Sequence, residues 1–137
     1  MIVTRENVRL AVYAKVETLL ASYGALDVEF YSGKIINRAT QVAPFLRIEI
    51  VYNDGDQIDI GPDGWTRVMG IILVEALAKE GTGVSVQNRI LDHFYRGLHK
   101  TDSMPPVRTL AARFDSGGVD QGWRSEGAVI PFWYDTQ

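Results

Sequence analysis

Over the first 24 residues, Val8, Val12, Val16, Leu19 or Leu20, and Tyr23 recur every three or four positions, which places them on one stripe of an amphipathic helix. Thr4 is positioned to cap its first turn, Glu6 to complement the positive end of the macrodipole, and Gly24 to end the helix. The pattern then changes. Between Asp27 and Asn37, Val28, Phe30, Ile35 and Ile36 are interrupted by Ser32, Gly33 and Lys34, which predicts a strand with an irregular middle. After Pro44, Leu46, Ile48, Ile50 and Tyr52 alternate with Arg47, Glu49 and Val51, the period-two signature of a strand with one buried face. Asn53-Asp54-Gly55-Asp56 supplies turn chemistry at its end. Residues 56–65 are acidic and broken by Gly61-Pro62-Asp63-Gly64, which predicts a loop or ribbon that projects from the core.

From Arg67 to Leu77 the chain is apolar and rich in β-branched residues, which with Gly70 favours a central strand over a short buried helix. A second helix follows, with Thr82 or Ser85 as its cap and Val86, Ile90 or Leu91, Phe94 and Leu98 as its apolar stripe, ending near Gly97 to Lys100. Val107 to Phe114 and Trp123 to Tyr134 are two further strand candidates, with Asp115-Ser116-Gly117-Gly118 as a hairpin connection. Pro131 marks an edge or a bulge in the last strand. The connections after Tyr52 and Phe114 are too short for crossover helices, so the sheet should be mostly antiparallel. The expectation is an α+β fold of two layers in one domain, residues 1–137, with both helices packed on one face of the sheet.

Composition narrows the function classes. Fourteen Lys and Arg against seventeen Asp and Glu give a net charge of −3, the wrong sign for gripping a phosphate backbone. The absence of cysteine excludes disulfides, thiolate nucleophiles and iron–sulfur clusters. No stretch reaches the length of a spanning helix, and the first residues lack the apolar core of a signal peptide.

Catalytic patterns are sparse. The two histidines, His93 and His99, stand six apart near the end of the second helix, a spacing that shares neither a helical face nor a metal-pair geometry. Asp54, Asp56, Asp59 and Asp63 do not follow the calcium-loop pattern, because Gly55 is misplaced and the closing Glu is missing. Gly81-Thr82-Gly83 lacks the Gly-Lys-Ser/Thr ending of a phosphate loop. The residues therefore predict no catalytic site, no cofactor and no metal. The aromatic residues are more informative: Trp65 follows a turn, and Trp123 and Trp133 flank or join a strand that also carries Phe132 and Tyr134, where neighbours point to opposite faces. Either some of these rings pack under the 53–66 connection, or they belong to a subunit interface, where aromatic residues and arginine are enriched.

Several segments taken together resemble one family. They are the amphipathic N-terminal helix, Pro44-Phe45-Leu46-Arg47-Ile48, and Arg67 with Gly70-Ile71 opening an apolar strand. Gly81-Thr82-Gly83 leads into a helix ending Phe94-Tyr95-Arg96-Gly97, and Gly122-Trp123-Arg124 is followed by Val129-Ile130-Pro131-Phe132. In this order they are similar to the tail terminator proteins of long-tailed bacteriophages and the related small minor tail proteins. Asp27 to Thr40 departs from the pattern, and the 53–66 connection is of a kind that varies within it. The resemblance implies an α+β structural protein of the virion, without enzymatic activity. It would form a ring, usually a hexamer, at the head-proximal end of the tail, stopping polymerisation of the tube and offering the surface for head joining. Its partners would be further copies of itself, the tail tube protein and a head–tail connector protein, and assembly would take place in the host cytoplasm. DNA would pass through the lumen without specific binding, since each copy of the ring adds a charge of −3. A monomer of this length has a radius of gyration of about 14 Å, too small to surround a channel alone.

Interface candidates follow from side-chain chemistry. Asp54, Asp56, Asp59 and Asp63, with Trp65, lie on the projecting connection, and Arg67, Arg108, Arg113, Arg124 and Trp133 are available to meet them from a neighbour. Two such different patches make the heterologous contact that a ring requires. The alternatives are a head-to-tail connector or tail-completion ring, and, from a different class, a small monomeric binding module or enzyme with a cleft near His93 or the acidic loop.

Overall fold

A computed structural model describes residues 2–30, 33–61 and 63–137, apart from the side chains of 54–57. The first helix, α1 (Arg5–Tyr23), is closed at its start by a reciprocal cap: the Thr4 hydroxyl accepts from the Asn7 N–H, and the Asn7 side chain accepts from the Thr4 N–H. Val8, Val12 and Val16 form its buried stripe, as the period predicts, and Gly24 follows with its N–H donating to Leu20 O. The strand expected over 27–37 is shorter. It covers β1 (Asp27–Phe30), after which the chain turns back, Gly33 N–H donating to Phe30 O and Phe30 N–H to Lys34 O.

The alternating segment forms β2 (Phe45–Asp59), which continues past the expected turn at Asn53. Pairing with β3 (Thr66–Lys79) breaks between Asn53 and Ile58 and resumes at Ile58 opposite Arg67. The turn-forming residues are thus absorbed as a register irregularity inside a longer ribbon. The reversal comes later, where Ile60 N–H donates to Trp65 O.

The second helix, α2 (Ser85–Leu98), begins without the expected side-chain cap. Val84 is the cap residue, Ser85 is already helical, and the Thr82 hydroxyl instead donates to Lys79 O. Its stripe of Ile90, Leu91, Phe94 and Leu98 is buried, and so is Gln87, which donates to the carbonyls of Ala76 and Arg124 and binds the helix to two strands.

The last third holds β4 (Arg108–Thr109), β5 (Arg113–Asp120) and β6 (Trp123–Thr136). The expected hairpin connection at Asp115–Gly118 lies within β5, where it produces a register shift between Ser116 and Gly118. The hairpin instead turns at Gln121 and Gly122, both at positive φ (52° and 79°), between the paired residues Asp120 and Trp123. A two-residue turn with both φ positive matches the twist of the flanking strands, and glycine relieves half of its backbone cost.

Among the described residues six strands form one sheet in the order β1-β2-β3-β6-β4, with β5 also paired to β6. Among the described pairs only β1–β2 is parallel. Pro131 therefore lies in an interior strand and not at an edge. It stands where the partner of β6 changes from β4 to β5, and its carbonyl accepts from Leu110 N–H. Both helices cover one face of the sheet: α1 and α2 share a core with Leu46, Ile48, Ile72, Val74, Ile130 and Phe132. The chain is an α+β fold of two layers.

Candidate functional site

Strand alternation assigns each residue to a face. On the helix-covered face stand Val68, Gly70, Ile72, Val74 and Ala76 of β3 and Ala128, Ile130, Phe132 and Tyr134 of β6, all buried. No described helix lies over the opposite face. Its middle is a strip of half-buried apolar side chains, Val51 on β2, Met69, Ile71 and Leu73 on β3, and Val129 and Pro131 on β6, aligned by the register Val51–Ile71–Pro131.

Charged groups hold both ends of this strip. At one end Arg67 lies opposite Asp135 and makes a two-pronged ion pair, Nε–Oδ1 2.8 Å and Nη2–Oδ2 3.0 Å. That bond to the Asp135 carboxylate raises the pKa of Arg67 above the usual guanidinium range. The guanidinium also lies 3.8 Å from the centre of the Trp133 ring, and Arg108 approaches the same ring at 5.4 Å. One aromatic ring thus stands between two cations, one of which is neutralised.

At the other end, Glu29 is 3% exposed and its carboxylate accepts from Ile36 N–H at 2.8 Å and from Arg38 at 3.2 Å. Arg47 reaches Glu29 (3.5 Å), Glu75 (3.2 Å) and Glu49 (3.6 Å). Beside this network Ile36 folds over Phe45, Leu77 and Trp123 as a small second core, and the Trp123 indole donates to Arg38 O.

The structure thus brings Arg67, Arg108 and Trp133 together and places Asp59 at the same end of the sheet, where its carboxylate accepts from Thr66, the neighbour of Arg67. Arg113 and Arg124 lie elsewhere, on β5 and at the start of β6, and Arg124 pairs with Glu126 at 3.7 Å. Asp63 is exposed in the β2–β3 turn, its carbonyl accepting from Gln137. Trp65 is half-buried beside it. The side chains of Asp54 and Asp56 lie outside the described residues. Of the rings in question, Trp123, Phe132 and Tyr134 are buried, and Trp123 packs under the segment at Ile36 instead of the 53–66 connection. Asp135 was not among the sequence candidates. Arg67-x-Met69 and Trp133-x-Asp135 each place two residues on one face, but only the β3–β6 register shows that they meet.

His93 ties the two helices together, whereas His99 packs against its own helix. His93 Nε2 lies 2.7 Å from Leu19 O and 3.1 Å from Ser22 Oγ, joining α2 to α1, and the His99 ring packs edge-on to Tyr95. Among the described residues no three His, Asp or Glu side chains are grouped to hold a metal ion. No described helix is long and apolar enough to cross a membrane. The open face therefore offers an extended apolar strip with ion pairs at its ends, the anatomy of a contact between macromolecules.

No family model and no curated protein matches this sequence. Among solved structures, one chain whose name carries no functional description superposes with a TM-score of 0.64, covering 98% of this chain and 96% of its own at 15% identity. That likeness concerns the fold.

Proposed function

We propose that the protein is a structural component of a long-tailed phage virion that assembles as a ring, usually of six copies, on the end of the completed tail tube, ends tube growth and presents the surface for head joining. The observation that carries this reading is the open face of the sheet. Natural monomers rarely leave an apolar strip uncovered across three strands, and here Trp133, flanked by Arg67 and Arg108, adds the residue types enriched where proteins meet. The α+β layering agrees with the fold implied by the family resemblance. In this reading the chain supplies surfaces instead of reacting groups, and the negative charge of each copy keeps the lumen from binding the DNA that passes through it.

The test is the absolute mass in solution by light scattering, at several concentrations and two salt levels, with and without purified tail tubes. The expected result is a mass near six protomers, or a monomer that becomes a ring on tubes. A monomer that ignores tubes at every concentration overturns the reading. A ring that binds head connectors and not tubes moves it to the head side of the joint.

A further inference from the structure

The sheet has two free edges of opposite polarity. On one side β1 covers β2 only from Phe45 to Ile48, and beyond Ile48 no described strand pairs with the outer side of β2. On the other side β5 pairs only with β6, and all eight of its residues are exposed. Because β3, β6 and β5 alternate in direction across the sheet, β5 runs opposite to β2. A second copy held in the same orientation therefore brings its β5 antiparallel to this β2, with both pairs of helices on the same side.

Side chains at the two edges are complementary. Beside the free part of β2 lies a cavity of about 190 Å³ lined by Tyr13, Ile48, Ile50 and Tyr52 and by the charged residues Arg5, Glu6, Arg9 and Glu49. It lies on the helix-covered side, next to the point where Phe30 of β1 packs on Tyr13 at 4.0 Å and the chain turns away. On β5, Phe114 points to that same side, opposite Ala128, and is 57% exposed, with one edge against Tyr95. Antiparallel pairing also directs Arg113, which makes no ion pair with another described residue, toward the Asp59 end of β2.

Resting on the ring reading above, we infer that β5 of one copy adds to the free edge of β2 in the next, that Phe114 fills the Tyr13–Ile50–Tyr52 cavity, and that this continuation of the sheet is the subunit joint of the ring. The contact joins two different edges, so it repeats from copy to copy and closes a ring when each copy is rotated by a whole fraction of a turn relative to the last, and the turn of the chain after β1 limits how far the added strand can extend. The register breaks in β2 and β5 and the charges Arg113, Asp115 and Asp120 discourage pairing with unrelated strands.

The chain contains no cysteine, so single cysteines can be placed without background. Asn53→Cys and Asp115→Cys are both at exposed positions. Mixed in assembled material and treated with a short bis-maleimide, they should give a 53–115 cross-linked dimer that neither variant gives alone. Phe114→Lys, with circular dichroism and melting unchanged, should raise the concentration needed for assembly by about tenfold or more. A ring that assembles without the mixed cross-link, or one in which Asn53→Cys is captured only by the tube protein, overturns the strand joint and leaves the ring reading standing. A protein that never assembles, alone or on tubes, overturns both. If Phe114→Lys fails to fold, the cross-link decides.

Discussion

The two faces of the sheet are built from the same strands and from similar residues, yet they are stabilised differently. On the covered face Ile72, Ile130 and Phe132 are at most 1% exposed, because two helices complete their surroundings. On the open face Ile71, Pro131 and Trp133, their immediate neighbours in sequence, are covered only by cross-strand contacts and remain half-buried. Apolar character along a strand therefore does not reveal which side carries the core. The difference lies in what flanks the apolar residues: helices on one side, ion pairs at the ends on the other.

Mutations separate these two modes. The largest loss is expected for Phe132→Ala, which empties a site closed by Tyr52, Tyr134 and the backbone at Gly70, and should lower unfolding free energy in urea by about 4 kcal/mol. Glu29→Ala should follow at about 3 kcal/mol, since it leaves Arg38 and the Ile36 N–H without their carboxylate at the charged end of the open face, while Arg47 keeps Glu75 and Glu49. An Arg38→Met, Glu29→Met double variant that recovered most of that loss would show that the cost lies in the orphaned charge. Gly70→Ala should cost about 2 kcal/mol: a Cβ there would stand 2.4 Å from Val51 O and 2.6 Å from the Phe132 ring, so backbone and core must both shift. Trp133→Ala, at the Arg67 end of the open face, should cost only about 1 kcal/mol, because the ring is half in water and its cation contacts are surface ones. A loss at Trp133 equal to that at Phe132 would erase the contrast between the faces.

The smallest effect is a pH limb. Burial, with Tyr134 nearby, pushes Tyr52 up to about 12 from its ordinary 10, and its hydroxyl donates to Arg5 O. The folded state then holds this proton more tightly than the unfolded state. The stability it contributes is complete below pH 10 and is lost as pH rises toward 12. Tyr52→Phe should flatten that decline, measured as Tm against pH.

Much of the fold could be read from local pattern. The stripe of Val8, Val12 and Val16, the Thr4 cap and the alternation from Leu46 to Tyr52 are each fixed by neighbours in sequence, and each is found. The two misplaced turns share one cause. Asn53-Asp54-Gly55-Asp56 and Asp115-Ser116-Gly117-Gly118 carry strong turn chemistry, but pairing resumes beyond both, so long-range ladders convert them into irregularities. Gln121 at positive φ carries no comparable signal, although it begins the true turn. The burial of Glu29 and Gln87 was equally hidden, since it depends on the fold bringing Ile36 N–H and Arg47 to the Glu29 carboxylate and two strand carbonyls to the Gln87 amide group. At the candidate site, Arg67, Arg108 and Trp133 were legible as residue types, but their meeting, and the role of Asp135, depend on register.

The placement of β6 bears on how the molecule comes to be folded. It is the last of the described elements in chain order, yet it lies between β3 and the β4 and β5 segments, and Val3 is tied to Thr136 by hydrogen bonds in both directions. Until β6 is in place, β3 has one bare side and β4 and β5 have no strand to join. The earlier elements leave β3 half-paired, so the sheet is completed only when the last strand enters between elements far apart in the chain. Such topology favours slow, all-or-none folding over stepwise growth from the N-terminus.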